Sequence, residues 1–311
     1  MRTLKDYIIL YLKGVAMGMA DVIPGVSGGT IAFISGIYQE LLDAVRSFNG
    51  KAVALLFKAD IKGLWKHING IFLVVLLSGI GTSFLSFSRL ILYWMKYYPE
   101  MLWAFFFGLV LASAALVSKK ISRWNLPVII GGLSGILFGY YITVVTPAQT
   151  TAALWFIFLC GAIAICAMIL PGISGSFILL LMGKYEYMMT ALNSFNIIII
   201  ITFISGAVVG LLSFSHLLNW MLKRFHDITI AMLTGLMVGS LNKVWPWKKA
   251  LETYTNHKGE IIPLIEQNIL PTAYFEITGK NPYLMYAVAL ALAGFAVVYF
   301  LEKISAEKIS A

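Results

Sequence analysis

Ala20-Asp21-Val22-Ile23-Pro24-Gly25-Val26-Ser27-Gly28-Gly29-Thr30 returns 147 residues later as Ala167-Met168-Ile169-Leu170-Pro171-Gly172-Ile173-Ser174-Gly175-Ser176. Residues 14–49 align with 161–196 without a gap. Thirteen positions are identical, among them both Pro-Gly pairs, Ser27/Ser174, Gly36/Gly183 and Tyr38/Tyr185. Proline disfavours helical geometry in the residue before it, and glycine tolerates positive φ, so each pair ends a helix. Ser27 and Ser174 then stand where an N-cap belongs, and a new helix is expected from each. A helix start inside apolar sequence offers free N–H groups and the positive end of a dipole, which suits an anion; small residues let it approach. The plainer reading is a small-residue seam between helices. Duplication of the whole Pro-Gly-x-Ser-Gly order favours the site, because paired helix breaks in two repeats point to a transporter's binding site.

The surrounding composition sets the solvent. Of 311 residues, 60% are hydrophobic and 12% charged, which no ordinary soluble domain matches; the chain reads as an all-α integral membrane protein. Its net charge of +9 fits cytoplasmic loops and anionic lipid heads rather than nucleic acid. Cys160 and Cys166 sit in one apolar run and read as packing residues. His67, His216, His226 and His257 form no metal-ligand spacing, so neither a metal nor a cofactor is expected.

Outward from the motifs, helices are expected over residues 27–45 and 173–192 after the breaks. An interfacial amphipathic insertion covers 50–68, and spans run over 70–97, 101–118, 127–145, 197–222, 228–244 and 283–301. Residues 245–281 form a polar loop. Repeat one then covers 1–147 and repeat two 148–311, each a broken helix pair plus three spans. The pair either crosses fully or, as the favoured reading, is re-entrant and returns on the side it entered. Five passes or three, the count is odd, so the second repeat is inverted relative to the first. With the N- and C-termini in the cytoplasm, 15 of the 23 Lys and Arg fall inside. Lys243, Lys248, Lys249, Lys258 and Lys280, in or beside the 245–281 loop, count against that orientation.

Inverted broken helices aim two positive starts at one midplane site. The expected phosphate or carboxylate donors are Ser27, Gly28, Gly29 and Thr30 from one copy and Ser174, Gly175 and Ser176 from the other, with Pro24, Gly25, Pro171 and Gly172 as the hinges. Asp21 lies three residues before Pro24 and has Met168 as its twin; an intramembrane carboxylate suits coupling to H⁺ or Na⁺, and equally a cap for the broken turn. Arg89 and His216 follow matching Ser-Phe-Ser triplets and suit either an escort for an anion or snorkelling to headgroups. Glu40 and Glu186, near the far ends of the helices after the breaks, read as interfacial charges with gating as the alternative.

The two motifs, with Gly36-Ile37-Tyr38-Gln39-Glu40 after the first and Gly183-Lys184-Tyr185-Glu186 after the second, resemble the paired motifs of the bacterial polyprenyl-phosphate transporter family. That resemblance covers nearly the whole chain. It implies a flippase of the bacterial cytoplasmic (inner) membrane that returns undecaprenyl phosphate, the lipid carrier of cell-wall precursors, to the inner leaflet. Residues 21–30 and 171–176 are the part of the site that carries over. The competing reading is a secondary transporter of a small soluble anion. An intramembrane lipid phosphatase is disfavoured because no histidine lies near either motif, so the chain is not expected to be an enzyme.

Overall fold

The computed structural model describes residues 2–21, 27–145, 150–255 and 261–307. The first helix, α1 (Leu4–Asp21), stops just ahead of the Pro24-Gly25 pair, which itself lies outside the described residues. Ser27 then caps α2 (Gly28–Ile34), its Oγ accepting from the Gly29 N–H. The helix expected to run on to residue 45 divides in two. Gly36 takes φ +75°, Gly36 N–H donates to the Phe33 carbonyl and Ile37 N–H to the Ala32 carbonyl, which closes the end of α2 before α3 (Tyr38–Arg46) begins. A glycine in left-handed geometry ends helices this way, and its side-chain-free Cα carries no strain there.

The insertion likewise divides into α4 (Gly50–Phe57) and α5 (Ile61–His67), hinged at Ala59 with φ +53° and restarted by Asp60, whose carboxylate accepts from the Gly63 N–H. Phe57 and Trp65 stay exposed, as suits helices lying in a bilayer interface. The span expected over 70–97 separates into α6 (Gly70–Ser86) and α7 (Ser88–Tyr97), because the backbone opens to ψ −17° at Phe87. Gly79 stays helical and lets α1 pack closely. Next come α8 (Pro99–Ser118) and α9 (Leu126–Val144).

The remaining elements follow the same order. α10 (Leu154–Ile169) ends at the second break, α11 (Gly175–Leu181) and α12 (Tyr185–Asn193) meet at Gly183 with φ +63°, and α13 (Ile197–Arg224) and α14 (His226–Ser240) follow. Residues 245–281 correct the expectations of a plain loop and of an all-α chain. Strands β1 (Lys248–Thr255) and β2 (Ile261–Asn268) pair antiparallel from Lys248↔Asn268 to Thr255↔Ile261, and α15 (Pro271–Thr278) returns the chain to α16 (Leu284–Glu307). Thr253 and Ile265 are β-branched residues of the kind that favours such a ribbon.

By length and composition α8, α9 and α13 can cross a bilayer, α5 and α6 form one bent pair at 68°, and α10 and residues 284–300 of α16 are apolar but shorter. The most extensive helix contacts pair α1 with α6, α10 with α13, α9 with α14 and α16 with α8. Glycines set these seams. A Cβ on Gly79 would strike the Tyr11 carbonyl, and one on Gly206 the Phe158 carbonyl; one on Gly108 would strike Ala291, and one on Gly235 would strike Gly132. Without solvent to drive apolar helices together, such close backbone approach is the main source of their association. Phe72, Leu76, Leu236 and Met237 fill the core between the seams.

Candidate functional site

The two motifs meet in the interior. The α10 helix ends with unpaired carbonyls, as every helix does. The Ser27 hydroxyl faces two of them, Met168 and Leu170, each at 3.1 Å, and the Tyr38 hydroxyl donates to the third, Ile169, also at 3.1 Å. The Gly172 N–H donates to Thr30 Oγ1 at 2.9 Å. Side chains of the first motif therefore satisfy the backbone of the second break, and all of Ser27, Thr30 and Tyr38 are buried. Gly29 sits against the same carbonyls, where a Cβ would collide with Ile169 O and Met168 O. Pro171 and Gly172 are buried at the turn, Gly172 at φ +90° against Met237 and Ser240.

The two helix starts differ. In α2 the Gly28 N–H donates to Asp21 Oδ1 at 2.7 Å, Gly29 N–H to Ser27 Oγ, and Thr30 N–H to the Ser27 carbonyl. The Asp21 carboxylate thus adds a cap to the start of α2. In α11 Ser174 makes no capping bond; its hydroxyl lies 2.9 Å from that of Ser176. Among the described residues, the N–H groups of Gly175, Ser176 and Phe177 have no hydrogen-bond partner. Donors are available at the second start and taken at the first.

From Ser176 a cavity of about 850 Å³ opens beneath the β-ribbon. Its wall carries Phe177 and Tyr185, and five lysines converge on it: Lys96, Lys243, Lys248, Lys249 and Lys280. Two carboxylates share it. Glu100 is bonded by the Tyr274 hydroxyl, and Glu266 lies 3.2 Å from Lys243 Nζ and 3.5 Å from Lys248 Nζ. Burial pushes the Lys248 ammonium down to about 8. Burial works to raise the Glu266 carboxyl, and the two lysines outweigh it and hold it below the usual carboxylate range.

Other expected site residues lie elsewhere. Glu40 is ion-paired with Arg2 and accepts from Asn69 Nδ2 at 2.9 Å. Glu186 sits in the first turn of α12. His216 Nδ1 lies 2.7 Å from the Leu212 carbonyl of its own helix, beside a shallow cavity of about 350 Å³ with Arg46, Asn219, Lys223 and Arg224. Arg89 belongs to α7, and its side chain lies outside the described residues. The lysines of the cavity were missed as site residues, although the sequence marks them. Four of them, Lys243, Lys248, Lys249 and Lys280, are among those that break the charge rule for the chosen orientation, and a basic cluster on the wrong side of a membrane protein needs its own explanation.

Apolar helices packed on glycine seams, with helices long enough to cross a bilayer, define a multi-pass helical membrane protein. Within that class, the chain belongs to the VCA0040-like family, described as undecaprenyl phosphate translocase-like, whose model matches residues 17–262. It is 45% identical over 298 residues to the polyprenyl-phosphate transporter of Vibrio cholerae serotype O1, covering 96% of this chain and 97% of that one. It is 30% identical over 256 residues to the polyprenyl-phosphate transporter of Staphylococcus aureus, covering 76% and 85%. No solved structure matches it.

Proposed function

We propose that the protein moves the phosphate head of a polyprenyl phosphate, undecaprenyl phosphate in the cell, across the bacterial cytoplasmic membrane while the prenyl tail stays in lipid. A phosphate does not cross hydrocarbon unaided, so the head needs a polar path and the tail needs none. The observation that carries this reading is the continuity of the lysine-lined cavity with Ser176 and the unpartnered N–H groups of α11. Lysines collect the anion at the mouth, and the helix start takes it at the bottom. The names and coverage of the two relatives support the same cargo.

The route follows from two inverted halves, residues 1–147 and 148–311. Lys13 Nζ donates to the Ser35 carbonyl and Arg2 pairs with Glu40, so the start of α1 and the start of α3 are held together, as in a hairpin that returns on the side it entered. Lys184 Nζ donates to the Thr150 carbonyl and Thr150 Oγ1 to the Met182 carbonyl, which ties the second hairpin in the same manner. With the N-terminus cytoplasmic, the lysine cavity faces outward. In alternating access the first start, now closed by Asp21 and by the carbonyl locks of Ser27, opens as the second closes. Coupling to H⁺ or Na⁺ would act on that exchange.

The test is head-group flipping in proteoliposomes loaded with fluorescent undecaprenyl phosphate, with and without a pH gradient. Protein-dependent flipping is expected, and it should fall by roughly tenfold or more in Ser176→Leu, which fills the cavity floor. Absence of flipping together with uptake of inorganic phosphate would assign the site to a soluble anion instead.

A further inference from the structure

Glu266 is in direct contact with two of the cavity lysines, Lys243 and Lys248, and its placement calls for a reason. Its Oε2 faces both Lys243 Nζ and Lys248 Nζ. Each ammonium also has contacts of its own. Lys243 lies over the Phe177 ring at 4.8 Å, Lys248 lies over the Trp103 ring at 4.7 Å, and Lys248 also donates to the Lys243 carbonyl at 2.5 Å. A cation on an aromatic face is held without spending its hydrogen bonds. The Lys248 side chain is only 8% exposed, and the Glu266 side chain 26%. The ribbon is irregular at this point: pairing slips between Ala250↔Glu266 and Glu252↔Ile265, leaving Leu251 unpaired and exposed. Bulges of this kind re-aim a side chain beside a functional site.

We infer that Glu266 is a resident counter-anion, occupying the place of the incoming phosphate and making the cavity select a phosphate monoester over a phosphodiester. This rests on the transport reading above. To bind, a head group has to take both lysines from a carboxylate. A phosphodiester brings a single negative charge and two free oxygens, so it replaces like with like. A monoester brings a charge of about −1.5 to −2 and three strong acceptor oxygens, as a phosphorylated side chain does. It gains from both ammoniums more than the carboxylate gives up. The bulk phospholipids of a membrane are diesters and would otherwise crowd any exposed basic cavity. Lys96, Lys249 and Lys280 on the wall keep the site net positive with Glu266 in place, so an anion is still drawn in. Glu100, the other carboxylate, is occupied by Tyr274 and does not face the pair.

The test uses the full chain in detergent and two probes with one tail, farnesyl phosphate and its methyl ester. The wild type should prefer the monoester by roughly tenfold. In Glu266→Gln the diester should tighten and the preference fall to about threefold or less. Glu252→Gln, an exposed carboxylate on the facing strand, should leave the preference as it was. If Glu266→Gln weakens both probes in parallel, the carboxylate only holds the ribbon down and the inference fails; it fails too if the preference is unchanged. Where Glu266→Gln lowers the melting temperature, Lys248→Gln decides: the monoester should weaken roughly tenfold and the diester less than about threefold, and equal weakening refutes selection. Equal binding of both probes by the wild type overturns this inference and leaves lipid transport standing. Binding of neither, with no flipping in proteoliposomes, overturns both.

Discussion

Ser27 and Ser174 hold the same place in the repeated motif and are bonded differently. Ser27 caps its helix and faces two carbonyls at the end of α10, whereas among the described residues the Ser174 hydroxyl bonds only to that of Ser176. Removing the Ser27 hydroxyl leaves a helix N–H without its acceptor and the Met168 and Leu170 carbonyls without the one proton they share, at a cost of about 2 kcal/mol. Ser27→Ala should therefore lower the unfolding midpoint of the purified protein by about 2–4 °C, and Ser174→Ala should change it by under about 1 °C. Equal shifts would mean that the central lock is not where stability resides. At this scale the sequence singles out both serines and cannot rank their bonding. Which hydroxyl is engaged depends on where α10 ends relative to α2, and no local pattern encodes that. Asp21 is the same case: its spacing suits a cap or a coupling group, and the fold adds the Gly28 N–H at 2.7 Å, a contact the sequence does not specify.

Among the elements, the β-ribbon is the least foreseen. Residues 245–281 read as polar and loop-like because eight-residue strands with Lys, Glu and Gln between the β-branched positions give a weak alternating signal. The second breaks at Gly36 and Gly183 were in plain view as identical glycines, yet an apolar run across them imitates a continuous helix. The helix ends at the two motifs and three of the six spans, α8, α9 and α13, were legible, because proline geometry and uninterrupted hydrophobicity act locally. The cavity was not, since it gathers Lys96 from α7, Ser176 from α11 and Lys248 from β1, positions that meet only after folding. The ribbon also makes the cavity sensitive to pH. Lys248 holds its charge below about 8 and loses it above, while Glu266 stays ionised throughout. Anion affinity should be full below that point and fall by roughly threefold to tenfold as pH rises through it. Titrating farnesyl phosphate binding from pH 6.5 to 9.5, values chosen to lie about 1.5 units either side, checks the direction. Lys248→Arg should carry the affinity to the upper end, because a guanidinium does not titrate there.

For the whole molecule the decisive feature is an exchange of helices. α9, from the first half of the chain, packs on α14 of the second, and α16, from the second, packs on α8 of the first. Each half keeps one seam of its own, α1 with α6 and α10 with α13, but neither can bury the two exchanged seams alone. Fragments 1–147 and 148–311 expressed separately should be degraded or aggregate, whereas co-expressed they should assemble and restore flipping to at least about a tenth of the intact level. Activity from one fragment alone would contradict the exchange.

That exchange also sets a timetable. Between the end of α8 and the start of α16 lie 165 residues, 119–283, and a ribosome at about 5–20 residues per second needs roughly 10–30 s to make them. For that interval Gly108 of α8, which needs the α16 backbone against it, waits in the bilayer beside lipid or beside an insertion factor. Whatever shields that groove during synthesis governs the yield of the protein as much as the strength of the finished contact does.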